Sequence, residues 1–105
     1  MHVEIEVLER APERLTAAVR GELDLATRDA LRSDLAPLLT AAPTVVLDLA
    51  DVAFIDATGL KVLAAAARQA RERGGRLVLA NPSRLLVRML ALLDLHELLP
   101  VEPTS

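Results

Sequence analysis

Between Phe54 and Leu60 the chain passes from an apolar run into a helical pattern through a single short junction, Phe54-Ile55-Asp56-Ala57-Thr58-Gly59-Leu60. An acid, a hydroxyl and a glycine are placed where a strand ends and a helix begins. A helix N-terminus carries unpaired N–H groups and a partial positive charge, so it suits a carboxylate, a hydroxyl, or a phosphate added to that hydroxyl. The junction is therefore both a connection of the strand-to-helix kind and a candidate switch.

The rest of the pattern is consistent with such connections. Val3, Ile5 and Val7 alternate with Glu4 and Glu6, a period of two that predicts a half-buried strand whose charged face suits a sheet edge. A turn over residues 9–14, containing Pro12, leads to a second strand over residues 15–20, antiparallel to the first and ended by Gly21-Glu22-Leu23-Asp24. Leu31, Leu35, Leu38 and Leu39 recur at helical spacing within residues 26–39, with Asp24 placed to cap that helix. Val45-Val46-Leu47-Asp48-Leu49 reads as a central parallel strand buried on both faces.

A helix over residues 58–73 stops at Gly74-Gly75, Arg76 to Ala80 form another core strand, Asn81-Pro82-Ser83 open a third helix over residues 84–93, and residues 98–101 form a short edge strand. A hairpin followed by strand-helix-strand units predicts an α/β fold. The expected architecture is a mixed β-sheet with helices mainly on one face, in one domain spanning residues 1–105.

The third helix is apolar almost all round. From Leu85 to Leu93, at about 100° per residue, Arg88 is the only charge. A surface helix buries one stripe, so the surplus either meets a partner or is enclosed by a different strand layout.

Composition removes several classes of function. A net charge of −3 argues against nucleic acid as a partner. With no cysteine there is no disulfide, thiolate nucleophile or cysteine metal site, and a cytoplasmic location fits. The acidic N-terminal stretch does not resemble a signal peptide, and no run approaches the about 20 apolar residues of a membrane span, so no membrane insertion is expected. His2 and His96 have no metal-ligand spacing, and the glycines form no nucleotide-binding loop, so neither metal nor cofactor is expected. Asp24 and Asp56 both follow strand ends. Together they form either a carboxylate pair or two helix caps, with capping the favoured reading, while Asp48 is expected to be held by a local hydrogen bond. Thr58 reads as an N-cap worth about 1 kcal/mol, or as a phosphoacceptor whose charge would gate a partner.

Two segments, Gly21-Glu22-Leu23-Asp24-Leu25-Ala26-Thr27 and Val46 to Leu49 running on to Leu60, together resemble the STAS domain of stand-alone bacterial anti-sigma-factor antagonists. The resemblance implies a catalytically inert binding module. Its partner would be an anti-sigma factor with serine/threonine kinase activity, whose capture frees a sigma factor and whose kinase switches the antagonist off. The family's acceptor hydroxyl directly follows the motif aspartate, and here Ala57 stands in its place. Thr58, the second hydroxyl position, is the remaining acceptor candidate, expected to take phosphate weakly or not at all. Asp24, Asp56 and Gly59 match the switch region, and Leu60 and Met89 match apolar positions offered to the kinase. Lys61 and Asp94 stand where relatives more often have glycine. Lys61, grouped with Leu60 and Met89 on the partner surface, adds a positive charge one turn from any phosphate, where it either stabilises phospho-Thr58 or, the favoured reading, merely decorates the helix. On this reading the partner surface joins the 56–60 turn to the third helix, and Leu60→Ala weakens binding at little cost in stability. The alternatives are a cytoplasmic STAS subunit of a lipid-transporting ABC system and, least favoured, a small carboxylate enzyme built on Asp24 and Asp56.

Overall fold

Alternation along the first strand decides the edge of the sheet. In the computed structural model, which describes residues 2–102, β1 (Val3–Arg10) turns Val3, Ile5 and Val7 against the core and leaves Glu4 and Glu6 in solvent. It pairs antiparallel with β2 (Arg14–Leu23), with a register shift between Val7 and Glu9 that leaves Leu8 exposed.

β2 is longer than residues 15–20, because Gly21 does not end it. Gly21 has φ +102°, and a Cβ there would lie 2.2 Å from the His2 carbonyl oxygen. Only glycine accepts that conformation beside that neighbour, and the strand bulges and continues to Leu23.

The extra length lets β2 serve two parallel neighbours. Its first half, Arg14 to Ala18, pairs with β3 (Thr44–Asp48), and its last residues, Gly21 to Leu23, pair with β4 (Val52–Ile55). β3 pairs in turn with β5 (Arg76–Ala80), giving a mixed five-stranded sheet in the order β1-β2-β3-β5 with β4 beside β2.

The helices α1 (Arg28–Leu39), α2 (Ala57–Glu72) and α3 (Arg84–Leu92) all contribute to one hydrophobic core. Alternate strand residues face it: Leu15, Ala17 and Val19 from β2, Val45 and Leu47 from β3, Leu77 and Leu79 from β5. Leu31 and Leu35 of α1, Leu63 and Ala67 of α2, and Leu86 and Leu90 of α3 meet them. The intervening strand positions point the other way, where Val46, Val78 and Ala80 form a separate small cluster. On that face Arg20 bonds Glu6 at 2.9 Å and lies near Glu4 and Asp51. The Glu6 hydrogen bond, with the charges of Glu6, Glu4 and Asp51, holds the guanidinium further above its ordinary pKa. The expected architecture, an α/β fold with helices on one side of a mixed sheet, is the one observed.

The expected C-terminal edge strand does not form. Residues 98–101 make a single bridge, Leu79 with Val101, flanked by Leu79 N–H to the Pro100 carbonyl and Glu102 N–H to the Leu79 carbonyl. Proline has no N–H to extend the ladder, so the segment follows β5 without becoming a strand. At the end of α3, Asp94 adopts φ +56°, and Leu95 N–H returns to the Leu90 carbonyl at 2.8 Å. The helix therefore closes as a glycine-ended helix does, with an aspartate in the left-handed position.

Candidate functional site

The parallel pairing of β2 with β4 builds the junction that dominates the sequence. Leu23 lies opposite Ile55, and Asp56 N–H donates to the Leu23 carbonyl at 3.1 Å, so Asp24 and Asp56 emerge from adjacent strand ends. Asp56 has extended backbone angles, and its Oδ1 accepts from Gly59 N–H at 3.0 Å, while Leu60 N–H donates to its carbonyl at 3.0 Å. Asp56 is therefore the N-cap of α2, worth about 1 kcal/mol. Thr58 is not the cap. It is the second residue of the helix, half-buried, and its hydroxyl is left out of the capping arrangement.

Asp24 is only 5% exposed and is tied into a tight turn. Its Oδ1 accepts from Thr27 N–H at 3.1 Å, and its own N–H donates to Thr27 Oγ1 at 3.1 Å, while the Thr27 hydroxyl donates to the Glu22 carbonyl at 2.6 Å. The expectation that Asp24 caps the first helix is corrected here. Thr27 occupies the cap position, its hydroxyl is turned back towards β2, and α1 starts two residues later than the pattern suggested. Neither aspartate is arranged for acid–base work, and no group of three His, Cys, Asp or Glu side chains gathers to hold a metal among the described residues. Asp48 bonds Ala50 N–H at 3.0 Å and Asn81 Nδ2 at 3.1 Å, bracing the ends of β3 and β5.

Gly59 is required by proximity. A Cβ on it would lie 2.1 Å from the Leu23 carbonyl oxygen, so the first turn of α2 presses directly on the end of β2. That contact also corrects the expectation for Leu60. Its side chain is 1% exposed and belongs to the core with Leu63 and Ala67, about one and two turns further along the same face. Leu60 therefore offers nothing to a partner in the folded chain. Ala57 is exposed at the helix tip and has no hydroxyl.

The opposite edge of α2 has a different character. Thr58, Lys61, Val62 and Ala65, at helical spacing, form one wall of a cavity of about 280 Å³, and Arg28 and Arg32 of α1 form the other. Both arginines lean on Asp29, with Arg28 Nε at 3.5 Å and Arg32 Nη1 at 3.4 Å from its Oδ1. The sequence does not single out the two arginines as site residues, because nothing in the chain order marks them as neighbours of Thr58.

The third helix exposes its surplus. Leu86 and Leu90 are buried and Met89 is half-buried against the core, while Leu85, Val87, Leu92 and Leu93 are exposed, Leu92 at 77%. β4 adds Phe54, 52% exposed, and a groove of about 230 Å³ runs between β4 and the start of α3, lined by Val52, Phe54, Ile55, Leu85 and Leu86. Sequence reasoning treated Phe54 as part of an apolar strand. Its exposure follows from a four-residue strand at the sheet's end that buries only Ile55 fully.

A family model described as "Mlab, STAS domain" matches residues 7–100. The chain belongs to the STAS domain family. Two curated relatives are similar to this STAS domain over nearly their whole length. The anti-sigma-B factor antagonist of Bacillus subtilis is 27% identical over 105 residues, covering 100% of this chain and 95% of the relative. That of Listeria monocytogenes is 29% identical over 103 residues, covering 97% and 90%. Among solved structures, an anti-sigma factor antagonist from Mycobacterium paratuberculosis matches with a TM-score of 0.78 at 28% identity, covering 96% of this chain and 87% of that one.

Proposed function

We propose that this STAS domain is an anti-sigma-factor antagonist, a binding module that captures an anti-sigma factor and so releases a sigma factor for transcription. The observation that carries the reading is the exposed apolar groove of Phe54 and Leu85, which adjoins the capped turn at Asp56, with Leu92 exposed further along α3, an apolar surface of the kind that marks a partner site on a small domain. Support also comes from relatives that bear the antagonist name and match this chain end to end. Met89, half-buried against the core on the same helix as Leu85, belongs to the partner surface in this reading, whereas Leu60 packs in the core beneath the turn.

The partner in this reading is an anti-sigma factor with serine/threonine kinase activity. Ala57 removes the hydroxyl next to the motif aspartate, so Thr58 is the acceptor that remains in the switch region. The module needs no catalytic group of its own, in keeping with Asp24 and Asp56 being committed to a turn and a cap. No described helix is long and apolar enough to cross a membrane.

The test is capture of the tagged chain from its native cells, with partners and phosphorylation identified by mass spectrometry. An anti-sigma kinase lost on Phe54→Asp is the expected result. Recovery of ABC-transporter subunits in its place overturns the reading.

A further inference from the structure

The chain is acidic overall, yet its only lysine and two of its arginines meet around one threonine. Arg28, Arg32 and Lys61 share the cavity of about 280 Å³ with Thr58, and the nearest opposing charge bonded to them is the single carboxylate of Asp29, itself largely in solvent. Three cations against one anion leave this pocket with a surplus of about two positive charges, while the whole chain carries −3. Arg28 Nε is buried and makes no hydrogen bond among the described residues. Asp29 Oδ1, at 3.5 Å, neighbours that Nε as an ion pair without completing a hydrogen bond, so the donor is left short of a well-placed acceptor. Thr58 also lies in the first turn of α2, where helix N–H groups favour negative charge.

We propose that the cavity between α1 and α2 is a receptor for a phosphoryl dianion esterified to Thr58, gripped by Arg28, Arg32 and Lys61. The inference rests on the reading of Thr58 as the acceptor in this STAS domain. In the transfer, Thr58 Oγ1 bonds to the terminal phosphorus of a nucleoside triphosphate on the kinase. The bond from that phosphorus to the bridging oxygen breaks, the diphosphate leaves, and the hydroxyl proton passes to a base of the kinase. A phosphate of charge about −1.5 to −2 then matches the surplus, and the two guanidinium groups can each give it paired N–H donors. Asp56 does not compete for these cations, because its carboxylate faces Gly59 N–H. Phosphorylation would thus pin α1 to the tip of α2, one residue after the position where the family's usual acceptor is replaced by Ala57. The switch would act by changing the charge and rigidity of the α1–α2 edge.

The test uses the full chain with phosphothreonine installed at position 58 during translation, followed by 31P NMR against pH. The grip lowers the phosphate's second ionisation below the about 6 of an exposed phosphothreonine, by about one pH unit. Arg28→Gln with Arg32→Gln, and separately the exposed Lys61→Gln, should return most of that shift, with unmodified counterparts melting normally. An ionisation near 6 that none of the variants moves overturns the proposal. Titration of the unmodified chain with inorganic phosphate separates the two sources of the anion. Silent amides at residues 28, 32 and 61 support the esterified occupant, while saturable millimolar binding there overturns it in favour of a free-phosphate site. No kinase is present in either measurement, so loss of this proposal and loss of the antagonist reading are distinguishable.

Discussion

The capped turn at the start of α2 and the apolar face shared by β4 and α3 lie side by side, and they spend their residues in opposite ways. In the turn nearly every distinctive group is committed. Asp56 caps the helix, Asp24 braces the turn before α1, Gly59 admits a carbonyl oxygen, and Leu60 fills the core. On the neighbouring face the bland residues are the uncommitted ones, with Phe54, Leu85 and Leu92 left in solvent. Chemically conspicuous residues in a small domain often build the site, while the contact itself is made by ordinary apolar side chains next to it.

Leu60→Ala provides the hardest test of that contrast. Removing a fully buried leucine costs about 2–5 kcal/mol, so urea denaturation should show a large loss of stability, and a loss below about 1 kcal/mol would return Leu60 to the partner surface. The converse experiment is Phe54→Ala with Leu85→Ala. Both side chains are half in water, so the melting curve should move little while affinity for the anti-sigma factor falls by about 2 kcal/mol or more in calorimetry. Equal effects on stability and binding would erase the distinction between the regions.

Asp56→Ala probes whether the turn acts by capping. Loss of the bond to Gly59 should cost about 1 kcal/mol in denaturation, with Asp56→Ser recovering most of it, and an unchanged midpoint would show that the cap is idle. The smallest effect belongs to Asp94→Gly beyond the apolar helix. Relief of the left-handed aspartate should raise stability by about 0.5–1 kcal/mol, and a loss would mean that the aspartate's side chain matters to the end of α3.

Much of this was legible in the order of residues. The period of two in Val3-Glu4-Ile5-Glu6-Val7 gave an edge strand, the leucine spacing in α1 gave a buried stripe, and the unbroken apolar run at Val45 to Leu47 gave a central strand. Periodicity reports which residues share a face, but it does not say which face meets the sheet. For that reason Leu60 was read as outward when the contact of Gly59 with Leu23 turns it inward. The choice between Asp56 and Thr58 as cap was equally closed to inspection. Both stand at the same junction, and the bond from Asp56 N–H to the Leu23 carbonyl sets where the helix begins.

The sequence by itself determined the α/β alternation, the strand-to-helix switch and the excess of apolar groups in α3, because each is written in neighbouring residues within a turn or two. The tertiary structure alone decided that Phe54 joins Leu85 in one groove, and that Arg28 and Arg32 close around Thr58 from a helix some thirty positions earlier. Those meetings arise from the packing of α1 on α2 and from the groove that the start of α3 shares with β4, and contacts between segments so far apart leave no local pattern in the chain.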